Sequence, residues 1–534
     1  MASKARWQVA WLPEAVRGRT TLLSCTALGT IATLLLATPA RSQPAANARP
    51  SGGVVSAGSA TIGSSASTTT IRQSSQRTAI NWQSFDVGSQ QTVDFIQPLS
   101  SSVALNRVIS SNPSQIAGRI DANGQVILLN QAGVIFYRGA QVNTAGLIVS
   151  AAGMSNVNFM AGKLVFDQAA NPNAAVVNQG SLTVKQAGLA ALVAPQVANS
   201  GVITAKLGHV VLAGAKTATL DMYGDGMVSL DVNNAVTQAP VGRDGAPVAA
   251  LVTNTGVIRA DGGTVQLTAR EADGLVQNLV QAGGTIRADS VGSKTGTVVL
   301  GGLGGSIVLS GVVTADGGAA PGSTGGQVQV DASQGVTLAA GSRIRASGPA
   351  GGGTVAIGTT LARAAGGPGT ASALTAQTVT VDQGARVNAS ATGNGDGGRI
   401  TVLSSLSTSM AGAIIAKGGP QGGNGGFVET SGASLSIGAS AIVDASALSA
   451  TGTPGTWLLD PLTLDVVNGA KDSGVSTTTG PPFTVTPTGG GAQISNATID
   501  GELNGGTNVV LTTEGTGTPG TGTGNITVDR KSVV

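Results

Sequence analysis

Side chains that could do chemistry are few in this sequence. It has one cysteine, Cys25, and one histidine, His209, so neither a cysteine cluster nor a histidine-rich metal site can form. The Lys-Thr-Gly triplet at residues 294–296 is similar to one in β-lactamases, but the partner motifs are missing. Residues 394–398, Asn-Gly-Asp-Gly-Gly, could form a calcium turn, yet no nonapeptide repeat surrounds them. We therefore expect a plain turn there, with no metal and no cofactor in the protein.

Carboxylates that could serve in acid–base catalysis are scattered, at Asp86, Asp94, Asp121 and Asp167. Secreted β-helical polysaccharide lyases collect such groups with Arg or Lys on one face, and the sequence alone does not bring these four together. His209 is expected at the edge of a strand rather than in a catalytic pair. We therefore predict that the chain is not an enzyme. A secreted β-helical polysaccharide-active enzyme is the alternative, and it requires a carboxylate–basic cluster in a groove.

Residues 1–40 have the features of a secretory signal peptide. A basic segment precedes an apolar run at residues 22–37, and Thr-Pro-Ala stands before the expected cleavage after Ala40. The run is shorter than the roughly 20 residues of a spanning helix, so no transmembrane span is predicted in the mature chain. Removing the segment takes away four of the 29 basic and one of the 26 acidic residues, which leaves 25 of each. A neutral chain predicts no basic stripe and no nucleic-acid partner.

Residues 48–240, which follow a linker at 41–47, differ in composition from the rest. Eight of the eleven aromatic residues outside the signal segment lie here, and large rings supply much of a compact core. Short β-branched runs punctuated by Gly or Asn predict strands and tight turns. These runs lie at residues 126–129, 134–137, 147–149, 164–166, 182–184 and 209–212. No stretch of this region shows helical periodicity with caps.

Part of this region resembles the signature of the filamentous-haemagglutinin N-terminal domain. The resemblance is carried by Asn-Arg-Val (106–108), Asn-Pro-Ser-Gln-Ile (112–116), Gly-Arg-Ile (118–120), Asn-Gly-Gln-Val (123–126) and Asn-Gln-Ala-Gly-Val-Ile-Phe (130–136). Similar early strands lie at 79–88 and 93–98. The family usually has Asn-Pro-Asn-Gly-Ile at the last motif, so Gln131 and Ala132 depart from it. Asn130 and Gly133, which a tight turn most needs, remain.

The resemblance implies a fold, a route and a partner. The fold is an all-β, right-handed parallel β-helix (β-solenoid) with an N-terminal cap. The route is two-partner secretion, in which an outer-membrane β-barrel transporter recognises its cargo through periplasmic domains. The candidate site residues are Asn112, Pro113, Asn130 and Gly133, either as turn residues that let the rungs close or as direct contacts of the transporter.

Residues 241–450 repeat two half-patterns. The first is Ile/Val-x-Ala, with most steps of 27 to 31 residues and one step of 43 across an insertion near residues 359–376. The second is Gly-Gly-x-Val or a close variant. A fixed period in this range indicates a repeat architecture, and two short strands per repeat with inward Ile, Val and Ala fit one coil of a Gly-rich β-solenoid. A stack of small β-sandwiches fits less well, because the expected aromatics and longer spacings are missing.

Residues 451–534 break the repeat. Gly-Thr-Trp-Leu-Leu-Asp-Pro at 455–461 resembles a phrase of large exoproteins with this N-terminal domain, so we expect a C-terminal exoprotein segment that is incomplete. The predicted function is that of a haemagglutinin-like adhesin of a Gram-negative bacterium, secreted or displayed on the cell surface after passing the periplasm. A host-cell or glycan surface is its candidate ligand. A further alternative is the truncated stalk of a contact-dependent toxin.

Overall fold

The computed structural model describes residues 43–460, except 221–227, 230–233, 243–244, 273, 368–369 and 439, and after residue 460 it describes six short strands. The predicted signal peptide lies outside the described residues, as do most of residues 451–534.

Strands dominate the described residues, as predicted. The first are β1 (Val54–Ala57), β2 (Ala60–Ser64), β3 (Thr68–Gln73), β4 (Arg77–Trp82), β5 (Thr92–Ile96), β6 (Val103–Val108), β7 (Ser114–Ile116), β8 (Arg119–Ala122), β9 (Gln125–Asn130), β10 (Gly133–Phe136), β11 (Gln141–Thr144), β12 (Gly146–Ser150), β13 (Leu164–Phe166), β14 (Ala175–Asn178), β15 (Ser181–Val184), β16 (Leu189–Ala194), β17 (Gln196–Asn199), β18 (Val202–Thr204), β19 (His209–Gly214), β20 (Ala218–Leu220) and β21 (Val228–Ser229). The next are β22 (Ala250–Asn254), β23 (Val257–Arg259), β24 (Thr264–Arg270), β25 (Asn278–Ala282), β26 (Thr285–Arg287), β27 (Thr297–Leu303), β28 (Ile307–Leu309), β29 (Val312–Thr314), β30 (Gln327–Ala332), β31 (Gly335–Leu338), β32 (Arg343–Arg345), β33 (Thr354–Ile357), β34 (Thr378–Val381), β35 (Arg386–Asn388), β36 (Arg399–Leu403), β37 (Ser407–Met410), β38 (Ala413–Ile415), β39 (Phe427–Ser431), β40 (Ser434–Ile437), β41 (Ile442–Asp444) and β42 (Thr456–Asp460). The last are β43 (Leu464–Val467), β44 (Val475–Thr479), β45 (Thr484–Pro487), β46 (Gln493–Ser495), β47 (Val509–Val510) and β48 (Ile526–Val528), and the helices are α1 (Asn156–Met160) and α2 (Leu361–Gly366).

Three long sheets contain the strands from β1 to β42 other than β13, β20 and β21. Sheet 1 has 14 strands in the order β1-β4-β6-β9-β12-β16-β19-β24-β27-β30-β33-β36-β39-β42. Sheet 2 has 14 strands in the order β2-β3-β5-β8-β11-β15-β18-β23-β26-β29-β32-β35-β38-β41, and sheet 3 has 11 in the order β7-β10-β14-β17-β22-β25-β28-β31-β34-β37-β40. Each coil visits sheet 3, sheet 2 and sheet 1 in turn, as β25, β26 and β27 do, and successive coils pair in parallel. The predicted all-β, parallel β-helical fold is confirmed.

The N-terminal end of the stack is capped by strands that run the other way. β1 pairs antiparallel with β4, and β2 pairs antiparallel with β3, so the first parallel strands do not present a free edge. Trp82 and Phe85 fill the bore beneath them, fully buried, with ring centroids 5.5 Å apart in an edge-to-face contact. Two of the aromatic residues that mark this part of the sequence therefore close the end of the helix.

The two half-patterns of the repeat form the ladders of sheets 2 and 1. Ile/Val-x-Ala forms the ladder of sheet 2, and Gly-Gly-x-Val forms that of sheet 1. In sheet 2, Ile258 pairs with Ile286, which pairs with Val313, and the ladder continues through Ile344, Val387, Ile414 and Val443. These side chains are buried in one continuous core. The prediction of two strands per coil is wrong, because sheet 3 adds a third. Its strands are short and carry no recurring Gly-Gly to mark them.

Two insertions cover the outer face of sheet 1. In the first, β13, β20 and β21 form a small antiparallel sheet beside α1. It packs a second core against outward side chains of sheet 1, among them Leu105, Ile127 and Val211. Strands such as β9 are therefore buried on both faces, which explains their unbroken apolar sequence. The helix α1 was not expected, because five residues are too few for helical periodicity to show.

The second insertion is the one predicted near residues 359–376, and it contains α2. Thr360 caps this helix, its hydroxyl accepting the amide proton of Arg363 at 3.3 Å. Arg363 then reaches the outer face of sheet 1 and forms a buried ion pair with Glu429 of β39, with Nη1 and Oε2 3.0 Å apart. The insertion is thus tied to the coil by a charge pair as well as by packing.

Candidate functional site

Asn130, at the end of β9, ties two successive coils together. Its Nδ2 donates to the carbonyl of Asn112 at 2.9 Å and to Oγ of Ser114 at 3.0 Å. Its Oδ1 accepts the amide proton of Ala132 at 2.9 Å. The side chain is buried. All three contacts lie within the protein, so Asn130 closes the turn between sheets 1 and 3 and holds it on the preceding coil.

Gly133 opens β10 in a conformation that favours glycine. Its φ is +103°, and a Cβ built on it would lie 2.3 Å from the carbonyl oxygen of Ala175 in the next coil. Gly133 and Ala175 are register partners in sheet 3. The turn therefore requires glycine both for its backbone angle and for the close approach of the following coil.

The other two candidates flank the same turn. Asn112 is exposed and takes part through its carbonyl, and Pro113 is half-buried just before β7. The structure thus brings Asn112 and Asn130 into contact, and Gly133 directly follows Ala132. Their role as turn formers has a direct geometric basis, and their contact with a transporter stays a prediction.

A half-buried carboxylate supports this turn from the coil below. The carboxylate of Asp86 accepts the amide proton of Gln115 at 2.8 Å, and the hydroxyl of Tyr137 hydrogen-bonds to Oε1 of Gln115 at 2.9 Å. Burial raises the pKa of Asp86, and the bond from the Gln115 amide partly offsets it. Asp86, a scattered carboxylate in the sequence, therefore serves to hold β7 in place.

An asparagine ladder, missed in the sequence, continues the same edge of the helix. Asn178 Nδ2 donates to Asn199 Oδ1 at 2.8 Å, and Asn199 Nδ2 donates to Asn254 Oδ1 at 2.7 Å. All three side chains are buried at the ends of β14, β17 and β22. The signal that could have revealed them is the recurring Asn-x-Gly at residues 178–180, 199–201 and 254–256. Such stacking satisfies amide groups that burial would otherwise leave unpaired.

Asp94 and Asp121 come together after all, on the outer face of sheet 2. They are register partners in β5 and β8, and with Asn143 and Lys185 they line a groove of about 450 Å³ whose floor includes Phe95 and Val184. Asp121 is already engaged, since it pairs with Arg119 and accepts from Asn143 Nδ2 at 3.1 Å. The groove carries the residue types that the enzyme alternative requires, although Asp86 and Asp167 do not line it.

His209 is the first residue of β19, where the sequence placed it. It lines a second groove, of about 430 Å³, at the corner between sheets 2 and 1, together with Gln125 and Lys185. Within the described residues, no three His, Cys, Asp or Glu side chains come close enough to hold a metal ion. At residues 394–398, where the sequence predicts a plain turn, Asn394 forms an isolated parallel bridge with Gly422 and Asp396 accepts the amide proton of Asn424 at 2.7 Å. Neither α1 nor α2, the helices of the described part, has the length and apolar character to cross a membrane.

Comparison with known proteins connects this geometry to a family. The family described as the TPS secretion domain matches residues 46–315. The crystal structure of the HMW1 secretion domain from Haemophilus influenzae is similar, with a TM-score of 0.60 and 30% identity, covering 77% of this chain and 100% of that one. The family match includes the cap, the candidate turn and the asparagine ladder.

Two heme/hemopexin-binding proteins of Haemophilus influenzae are also similar. One is 33% identical over 260 residues, which cover 47% of this chain and 27% of that protein. The other is 45% identical over 89 residues, which cover 17% of this chain and 10% of that protein. The matched part is thus less than a third of either relative. Together with the matched family, these likenesses confirm the resemblance on which the sequence prediction rested.

Proposed function

We propose that this chain, which belongs to the TPS secretion domain family and is therefore a β-helical cargo of two-partner secretion, acts outside the cell as an adhesin. Membership of the family implies export across the outer membrane of a Gram-negative bacterium by a partner transporter. The proposal adds that the transporter is a β-barrel with periplasmic recognition domains, and that the exported chain is secreted or stays on the cell surface, where it contacts host cells or glycans.

The observation that supports this proposal is the continuous parallel ladder behind an antiparallel cap. The cap closes one end of sheets 1 and 2, while each later coil adds its three strands to the coil before it. A chain that emerges with its N-terminal part first can therefore fold coil by coil, each coil serving as the template for the next. Such a chain needs no other source of folding energy than the burial of each new coil.

We propose that residues 48–240 are recognised by the transporter and start the folding of the coils. Residues 241–450 would form the displayed solenoid, and residues 451–534 would belong to a further exoprotein segment. The ladder of sheet 1 runs from β19 directly to β24, so the two larger parts belong to one stack. Asn112, Pro113, Asn130 and Gly133 would serve recognition by shaping the first turns. On this view a transporter recognises the folded cap rather than isolated side chains.

Deletion of whole coils tests this assignment, because it keeps the remaining ladder in register. Val126 pairs with Leu147, so removal of residues 126–146 takes out the coil that carries Asn130 and Gly133. Val328 pairs with Val355, so removal of residues 328–354 is the matched control in the repeat. Both cargoes are co-expressed with the transporter, and release into the medium is measured. We expect loss of release only for the first, and equal release of both would refute the assignment.

The groove at Asp94 and Asp121 supports a second candidate, a polysaccharide-active enzyme. An acid–base pair there would use Asp94 with Asp121, as paired carboxylates do in glycoside hydrolysis. The test is release of reducing sugar from acidic and neutral polysaccharides by the secreted chain and by Asp94→Asn. Activity that disappears in the variant would establish the enzyme. Absence of activity on every polysaccharide tried would count against the enzyme.

A further inference from the structure

The outer face of sheet 2 carries two rows of arginine over five consecutive coils. Arg259 and Arg287 are register partners in one row, and Arg345 follows two coils later in the same row. Arg343 and Arg386 are register partners in the neighbouring row. All five side chains are exposed. We call the outer surface of β23, β26, β29, β32 and β35 the arginine face.

Two of these arginines are neutralised from within the protein. Arg287 Nε lies 2.8 Å from Asp261 and 2.9 Å from Asp289, and Arg345 pairs with Asp316. The three aspartates also have a structural task at the corner between sheets 2 and 1. Asp261 accepts the amide proton of Asp289 at 3.2 Å, and Asp289 accepts that of Asp316 at 3.0 Å. These carboxylates therefore belong to the coil and not to a ligand site.

Three arginines of the face have no acidic partner among the described residues: Arg259, Arg343 and Arg386. Since coils stack about 4.8 Å apart, Arg259 lies roughly 14 Å from Arg343 along the stack, and Arg386 lies about 5 Å further. The positive charge thus runs parallel to the axis of the coils. An elongated anion lying along the stack can contact all three.

Uncharged groups between the arginines fit a sugar chain. Thr285 and Asn388 are half-buried on this face and can bond to hydroxyl groups. Val257 and Val312 offer apolar contact for the faces of sugar rings. No aromatic side chain lies on these five strands, so the base stacking that supports binding of single-stranded nucleic acid is missing.

We propose that the arginine face binds a linear acidic polysaccharide, whose carboxylate or sulfate groups contact Arg259, Arg343 and Arg386. The inference rests on the proposed adhesive function and names the class of ligand. Guanidinium groups bind such anions through paired N–H donors, and the flat, regular face lets the chain lie across successive coils. The near-neutral total charge of the mature sequence hides this arrangement, because it does not show that Asp261, Asp289 and Asp316 neutralise only Arg287 and Arg345 of the face.

The test uses the purified full chain and four probes: heparin, polygalacturonate, neutral dextran and single-stranded DNA. The variant replaces the three free arginines together, as Arg259→Gln, Arg343→Gln and Arg386→Gln. The matched control removes the same charge from other exposed cations, as Arg138→Gln, Lys163→Gln and Lys206→Gln. Circular dichroism and thermal unfolding verify the fold of both. Release by the transporter is measured in parallel, so that failure of export is seen separately.

We expect the wild type and the control to bind an acidic polysaccharide but not dextran. The arginine variant should bind the acidic polysaccharide at least roughly tenfold more weakly than the wild type. The dependence of log Kd on log salt should also fall by roughly two, since three cations no longer release counterions. Equal binding by the variant and the control would overturn the inference, as would equal weakening of both. Tighter binding of DNA than of either acidic polysaccharide would overturn it too. A wild type that is released but binds neither polysaccharide overturns the inference and leaves the export assignment intact.

Discussion

Replacing Gly133 by Ala should loosen the turn that joins the first coils. The φ of +103° puts Ala in a region that costs about 1–2 kcal/mol. The new Cβ would also lie 2.3 Å from the carbonyl oxygen of Ala175, and relief of such a clash costs about 1–3 kcal/mol. Gly133→Ala should therefore destabilise this part of the stack by about 2–5 kcal/mol.

Gly139 provides a matched control in the same coil. Its φ is +96°, but a Cβ built on it meets nothing within 4 Å. Gly139→Ala should therefore cost only the backbone strain of about 1–2 kcal/mol. The difference between the two variants isolates the contact between coils, which is the feature that makes Gly133 part of the candidate site.

Hydrogen exchange of the full chain measures this difference where it arises. Amides of β10 and β14, which pair at Gly133 and Ala175, should exchange roughly 5- to 150-fold faster in Gly133→Ala than in Gly139→Ala. Amides of β36 and β39, far along the stack, should be unchanged in both. Equal exchange in the two variants would refute the argument that the close approach of the next coil fixes glycine here.

Three further substitutions test the buried polar groups. Asn199→Ala removes the middle of the asparagine ladder. It leaves the buried Nδ2 of Asn178 and the buried Oδ1 of Asn254 without their partner, so it should lower the free energy of unfolding by roughly 2–5 kcal/mol. The control Asn143→Ala, at a half-buried position, should have only a small effect. Burial raises the pKa of Asp331 to about 7, so the stability that its neutral form contributes is complete below about pH 4 and is lost as the pH rises through 7. The thermal midpoint of the wild type should therefore fall between pH 4.5 and pH 8 by more than that of Asp331→Asn, and parallel curves would contradict this. Arg363→Met leaves the buried Glu429 without its ion-pair partner and should cost about 3–5 kcal/mol. Glu429→Gln should restore part of this loss in the double variant, and additive effects in denaturation would argue against the pair.

The repeat could be predicted because its coils carry regular markers. Gly-Gly and Ala recur where the chain leaves and enters the ladders of sheets 1 and 2, and the pairs Ile258–Ile286 and Val328–Val355 match the predicted steps. The sheet 3 strands of residues 241–450 have no such Gly-Gly marker, so the sequence does not predict them. In the first insertion, β13 and β20 pair residues more than 50 positions apart, such as Leu164 with Leu220. No local sequence pattern predicts this pairing.

The candidate site was predicted in part for the same reason. Asn130 and Gly133 stand out because a turn demands these residue types, and their contacts now explain why. Asp94 and Asp121 could not be paired from the sequence, because only the register of β5 and β8 brings them together. The arginine face was equally hidden, since a total charge reports nothing of the rows in which Arg343 and Arg386 stand. Which side chains become neighbours on a ladder depends on the register of the strands, which the sequence alone does not give.

The most direct test of the central claim is the release of the full chain from cells that carry or lack the partner transporter. The account predicts that the chain appears in the medium or on the cell surface only when an outer-membrane barrel with periplasmic recognition domains is co-expressed, and that it stays in the periplasm otherwise. Release of the same amount without the transporter would contradict the assignment of this chain as a two-partner cargo.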